Sequence, residues 1–77
     1  MTFEISEFIK LIANVLRIDE SRIGIDTKRS EIEEWDSLAH LHLIIEIEEK
    51  YKVSIPMEAI PEIKSVKDIL NYLPINK

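Results

Sequence analysis

The chain has 77 residues, of which 45% are hydrophobic and 32% charged. That length bounds it to one small domain, residues 1–77, with a modest core and marginal stability. The apolar content argues against disorder, and fifteen acidic against ten basic residues, a formal charge of -5, argue against nucleic acid, whose binding relies on positive charge near phosphates.

One Gly and three Pro count against a turn-rich all-β fold, and with no Cys there is neither a disulfide nor a thiolate metal site. An acidic surface favours partners with a basic docking face. Met1-Thr2-Phe3-Glu4-Ile5 lacks the basic segment and long apolar run of a signal peptide. No stretch reaches membrane-spanning length. The expected location is therefore the cytoplasm.

The first element is predicted from about Phe3 to Leu16, ending near Arg17. Ile5, Phe8, Ile9, Ile12, Val15 and Leu16 recur every three or four residues and form one apolar helix face. Ser6 offers an alternative, slightly later cap. Residues 18 to 36 form a connection longer than a usual helix–helix link. Its Ile18, Ile23, Ile25 and Ile32 are expected to pin it onto the core, with a short turn at Ser30 to Glu34.

A second long helix is predicted from Ser37 to about Tyr51, with Asp36 as its N-cap. At 100° per residue, Leu43, Ile44, Ile47 and Tyr51 gather on one side and Leu38, Leu41 and Ile45 on another. One side suffices to bury a helix in a small bundle. Either the long connection covers the second stripe, or it faces a partner. A short element is expected near Met57 to Ile60, limited by Pro61, which lacks an N–H and clashes with a preceding helical turn. Ser65 reads as a further N-cap, with Asp68 three residues on. Val66, Ile69, Leu70 and Leu73 then form a last apolar face ended by Pro74. The predicted fold is all-α, a small four-helix bundle with three main helices, one short helix and a long first connection.

Ser37 stands at the start of the second helix. There the orphan N–H groups and aligned peptide dipoles favour an anion, so its hydroxyl is well placed to carry a phosphate. Asp36-Ser37-Leu38 at this position, the ending Ile47-Glu48-Glu49-Lys50-Tyr51, then Val53-Ser54-Ile55-Pro56 and Ile63-Lys64-Ser65-Val66-Lys67-Asp68-Ile69 together resemble the acyl carrier protein family over essentially the whole chain. Asp-Ser-Leu alone would be a weak signal. Its place after a long loop, before this helix and in a chain this size makes it strong.

The resemblance implies a covalent 4'-phosphopantetheine arm on Ser37. A phosphopantetheinyl transferase transfers it from coenzyme A, with magnesium in that enzyme's site. The arm's thiol holds an acyl or aminoacyl group as a thioester, so the reactive sulfur belongs to the arm and not to the chain. The carrier itself is then not an enzyme, and it is expected to be a monomer. Implied partners are an acyl- or aminoacyl-adenylating or ligase enzyme and a downstream transferase or synthase. Leu38, Leu41 and Ile45 resemble the family's partner-recognition face, while Leu43, Ile47 and Tyr51 resemble its core.

Two features depart from typical fatty-acid carriers. Ala39 and His42 stand where such carriers often have acidic residues, and Glu34-Trp35 precedes Asp36 where a Gly is often nearby. Trp35-Asp36-Ser37-Leu38-Ala39-His40-Leu41 looks more like the stand-alone carriers of specialised metabolism or cell-surface polymers.

Trp35 either closes the long connection over the bundle or gives a partner an aromatic contact. Asp36 is expected both to cap the helix and to present Ser37. His40 and His42 do not share a helix face, so they make no metal pair; His40 is expected towards the core and His42 near the docking stripe. Glu46, Glu48 and Glu49 are expected to form a solvated face, with Glu48 a candidate for rim contacts with basic partner residues. An alternative function is a small helical protein-interaction module without a prosthetic group. A Ser37 hydrolase is remote, because nothing supplies a triad or a strained nucleophile elbow.

Overall fold

A computed structural model describes residues 4–73. The predicted start at Phe3 and the stop at Pro74 lie outside the described residues. Helix α1 spans Ile5–Leu16, α2 spans Ser37–Tyr51 and α3 spans Val66–Leu70. Single 3-10 turns occupy Glu20–Arg22 and Arg29–Glu31, and a longer 3-10 helix occupies Met57–Glu62. The described residues are mostly helical and contain no strand, only an isolated antiparallel bridge between Lys28 and Ser65.

The apolar periodicities build one core. Phe8, Ile12 and Leu16 from α1 meet Leu43, Ile44 and Ile47 from α2, joined by Ile55, Ile63, Val66, Ile69 and Leu73. Phe8 and Tyr51 contact edge to face at 6.1 Å between ring centroids. Both long helices end on a non-glycine residue in the left-handed region, Arg17 at φ 61° and Lys52 at φ 56°. The residue after each closes the end: Ile18 N–H donates to Ala13 O at 3.0 Å and Val53 N–H to Glu48 O at 3.3 Å. These bonds satisfy carbonyls that helix geometry leaves unpaired.

In the long connection Ile23 and Ile32 are buried and Ile18 packs partly against the core, while Ile25 is only half-buried. The connection's backbone is also stitched to the chain entering α3. Arg29 N–H donates to Lys64 O at 2.8 Å, and Val66 N–H to Thr27 O at 3.0 Å. Two tight turns cover the stretch where a turn was expected at Ser30 to Glu34: Glu31 N–H donates to Lys28 O, with the Glu31 carboxylate accepting from Lys28 N–H, and Trp35 N–H donates to Ile32 O at 3.1 Å.

Two expectations are corrected. Pro61 does not end the short element, which runs through it to Glu62. Ile63 N–H bonds back to Ile60 O at 3.2 Å, which places Pro61 second in a tight turn, a position that requires no N–H and suits its fixed φ. The last of the expected main helices is only five residues long. Beyond Leu70 the bonds tighten to three-residue spacing, Tyr72 N–H to Ile69 O and Leu73 N–H to Leu70 O, and this still delivers Leu73 to the core.

Candidate functional site

The site is the entrance to α2. Asp36 is extended, and its carboxylate accepts from Ala39 N–H at 2.9 Å while its carbonyl accepts from His40 N–H at 2.8 Å. Ser37 is the first helical residue and is exposed. Its hydroxyl makes no hydrogen bond among the described residues. An exposed, unengaged hydroxyl at a helix start, facing solvent and flanked by orphan first-turn N–H groups, fits the attachment of a phosphodiester.

Behind this entrance lies a buried polar relay. The Trp35 indole N–H donates to His40 Nδ1 at 2.9 Å, and His40 Nε2 lies 2.8 Å from the carbonyl of Ile60. An indole only donates and a carbonyl only accepts, so the relay needs a neutral imidazole with its proton on Nε2. Burial pushes the His40 pKa below the ordinary value of 6.5; the Ile60 bond opposes this and the positive charge of Arg29 adds to it. Three parts of the chain are thereby joined: the end of the long connection, the first turn of α2 and the 3-10 helix. Arg29 Nε adds a further tie, donating to Trp35 O at 3.1 Å.

This placement corrects Trp35 as a partner contact. Its side chain is 2% exposed, so it closes the connection over the bundle and offers no face to a partner. His40 is buried as expected, at 3% exposure. Glu48 is also engaged inside the molecule: its Oε2 accepts from Ile55 N–H at 2.7 Å, anchoring the turn after α2. That bond gives Glu48 a structural role that its sequence neighbourhood, three glutamates in four residues, concealed.

The second stripe of α2 is not covered by the connection. Leu38, Leu41 and Ile45 are 78%, 50% and 59% exposed, and Met57 at the start of the 3-10 helix is 83% exposed. The sequence reading did not single out Met57; its signal was an apolar residue with no periodic partner. His42 sits beside the stripe, 3.5 Å from Glu46. Arg22 and Glu34 form a two-pronged exposed pair, both bonds 3.0 Å, just before the relay. Among the described residues no three His, Asp or Glu side chains are placed to hold a metal ion, and no helix is long and apolar enough to cross a membrane.

Residues 6–73 match the family model described as a phosphopantetheine attachment site. The chain belongs to the acyl carrier protein family. It is 36% identical over 66 residues to the acyl carrier protein of Onion yellows phytoplasma, covering 86% of this chain and 87% of that one. It is 39% identical over 70 residues to that of Phytoplasma mali, covering 91% and 80%, and 35% identical over 71 residues to that of Syntrophobacter fumaroxidans, covering 92% and 88%. The protein is thus a carrier that bears acyl groups on a covalently attached 4'-phosphopantetheine arm. Carriers of this family are not catalysts; enzymes that attach the arm and handle the acyl group act on them.

Proposed function

We propose that Ser37 is the residue that carries the arm, and that the exposed stripe beside it docks the enzymes that load and use the cargo. The observation that carries this reading is the juxtaposition of an exposed, unengaged Ser37 hydroxyl at the start of α2 with exposed Leu38, Leu41 and Ile45 on the same helix. When bound, the arm supplies a thiol that holds the cargo as a thioester. Asp36 fixes the first turn through Ala39 N–H, so the hydroxyl is presented from a set backbone. Ser65, by contrast, spends its hydroxyl accepting from Asp68 N–H at 3.2 Å. Leu38, Leu41 and Ile45 offer the apolar contact, and His42 is at its edge.

The partners in this reading are a phosphopantetheinyl transferase, an acyl- or aminoacyl-adenylating or ligase enzyme, and a downstream transferase or synthase, met in the cytoplasm by a monomeric carrier of one domain. The cargo belongs to a specialised or cell-surface pathway in preference to ordinary fatty-acid synthesis. Ala39 and His42 support this, because they remove negative charges that would steer basic partner surfaces.

Two experiments test the proposal. Peptide mapping after exposure to coenzyme A and a carrier synthase should find the added mass on the peptide containing Ser37; finding it on Ser30 or Ser65 would refute the site. For the pathway, arm-bearing protein is given to a fatty-acid chain-extension system and, separately, to an adenylating enzyme from the same genome. Turnover is expected with the adenylating enzyme, and efficient turnover only in the fatty-acid system would overturn the specialised reading while leaving the carrier intact.

A further inference from the structure

On the side of the long connection, Lys28, Arg29, Ser30, Trp35 and Lys64 line an open cleft of about 470 Å³. No carboxylate lines it, although acidic residues outnumber basic ones in the chain, fifteen to ten. Elsewhere Arg22 pairs with Glu34, Lys50 with Glu7 and Lys67 with Asp26, while Lys10, Arg17 and Lys52 stand apart from one another along the chain without an ion pair among the described residues. Lys28 and Lys64 form no ion pair with any described residue. Arg29 spends only Nε on the Trp35 carbonyl, which leaves its two terminal nitrogens for another acceptor.

The backbone holds these cations together. Lys28 bridges to Ser65, and Arg29 N–H donates to Lys64 O at 2.8 Å. The carboxylates of Glu31 and Asp68 bond main chain: Glu31 accepts from Lys28 N–H at 2.9 Å and Asp68 from Lys64 N–H at 2.9 Å. Three cationic side chains line this one cleft with no carboxylate in its lining, and like charges sharing a cleft gain from an anion bound between them. A guanidinium fork flanked by ammonium groups matches the oxygens of a phosphate, which accept from several donors at once.

We infer that this cleft is a binding site for a phosphate group, with Lys28, Arg29 and Lys64 as its ligands. Two sources carry that chemistry: the phosphodiester of an arm on Ser37, two residues beyond Trp35, or a free phosphorylated molecule. The first source rests on the Ser37 reading; the second does not.

Trp35 is the only tryptophan; its indole is buried at the back of the cleft and its carbonyl accepts from Arg29 Nε, so its emission reports a change in the charge bound beside it. Arm-free protein is titrated with inorganic phosphate at fixed ionic strength, with chloride as the control for screening. The expected result is a saturable change in Trp35 emission that chloride does not give. In the Lys28→Gln/Lys64→Gln double variant, which alters exposed side chains only, binding should weaken by about tenfold or more as two charge-assisted contacts are lost. The same titration on arm-bearing protein separates the sources. If the arm occupies the cleft, phosphate no longer binds, and the phosphorus NMR signal of the arm shifts in the double variant. If phosphate binds both forms alike, the site takes a free ligand. A linear or chloride-like response, binding unchanged in the double variant, or a response to a glutamate-rich peptide but not to phosphate would each overturn the inference. Because the first titration uses arm-free protein, its failure is separate from any failure of Ser37 to be modified.

Discussion

His40 can accept from Trp35 and donate to Ile60 only as a neutral imidazole, and protonation would place a second N–H against the indole N–H. The unfolded chain has no such constraint, so its histidine titrates near the ordinary value, about 6.5. The folded value is lowered. Above about pH 6.5 both states are neutral and the stability is fully present. As pH falls towards the lowered folded value, the unfolded state binds a proton that the folded state refuses, and stability is lost. The carboxylates with lowered values, Asp19 and Glu34, act in the same sense but from below 3.8 and 4.5. Urea unfolding at steps between about pH 6.5 and 5 should therefore show stability falling for the natural chain and nearly flat for His40→Gln. The variant itself should be weaker by about 1–3 kcal/mol, since it leaves a buried group without its partner. Identical pH dependence in both proteins would contradict the neutral relay. Leu41 poses the opposite case. It is half exposed, so Leu41→Glu should leave the melting temperature nearly unchanged and slow the carrier synthase, because an unpaired charge in an apolar contact is costly. A large drop in melting temperature would show Leu41 to be core.

At the scale of elements, α2 carries two apolar faces in different surroundings. Leu43, Ile44 and Ile47 are buried, while Leu38, Leu41 and Ile45 remain in solvent. Ile47 is completely buried, so Ile47→Ala should cost about 2–5 kcal/mol in chemical denaturation. That is a large share of a small protein's stability, and near-native stability of the variant would refute the assignment of faces. Both long helices were legible because each signal was local: periodic apolar residues, and Asp36 as a side-chain cap of the second. The 3-10 helix and α3 were less so. Pro61 forbids a donor at one position, and whether that ends an element or merely sits early in a turn depends on which carbonyl the next N–H reaches. The shortness of α3 likewise follows from a change in bond spacing after Leu70 that the apolar pattern does not record.

For the whole molecule, the sequence carried the core and the helix order, because burial is written as spacing along the chain. It did not carry the relay. Trp35, His40 and Ile60 meet only once the connection, α2 and the 3-10 helix have packed, and no local pattern couples an indole to a carbonyl twenty-five residues away. Nor did it show that Glu48 turns inward to Ile55 N–H while its neighbour Glu49 stays exposed. The candidate site itself was legible, since Asp36, Ser37 and Leu38 are contiguous and their position at a helix start follows from capping. What the fold adds is separation: the Ser37 hydroxyl and the apolar stripe of Leu38, Leu41 and Ile45 lie outside, and the residues that hold them lie inside. The central claim is that Ser37 alone bears the arm, and it is tested most directly by intact mass measured after incubation with coenzyme A and a carrier synthase. The natural chain should gain one phosphopantetheine, and Ser37→Ala, folded with an unchanged melting temperature because the hydroxyl lies outside the core, should gain none. A full phosphopantetheine addition on folded Ser37→Ala would contradict the account.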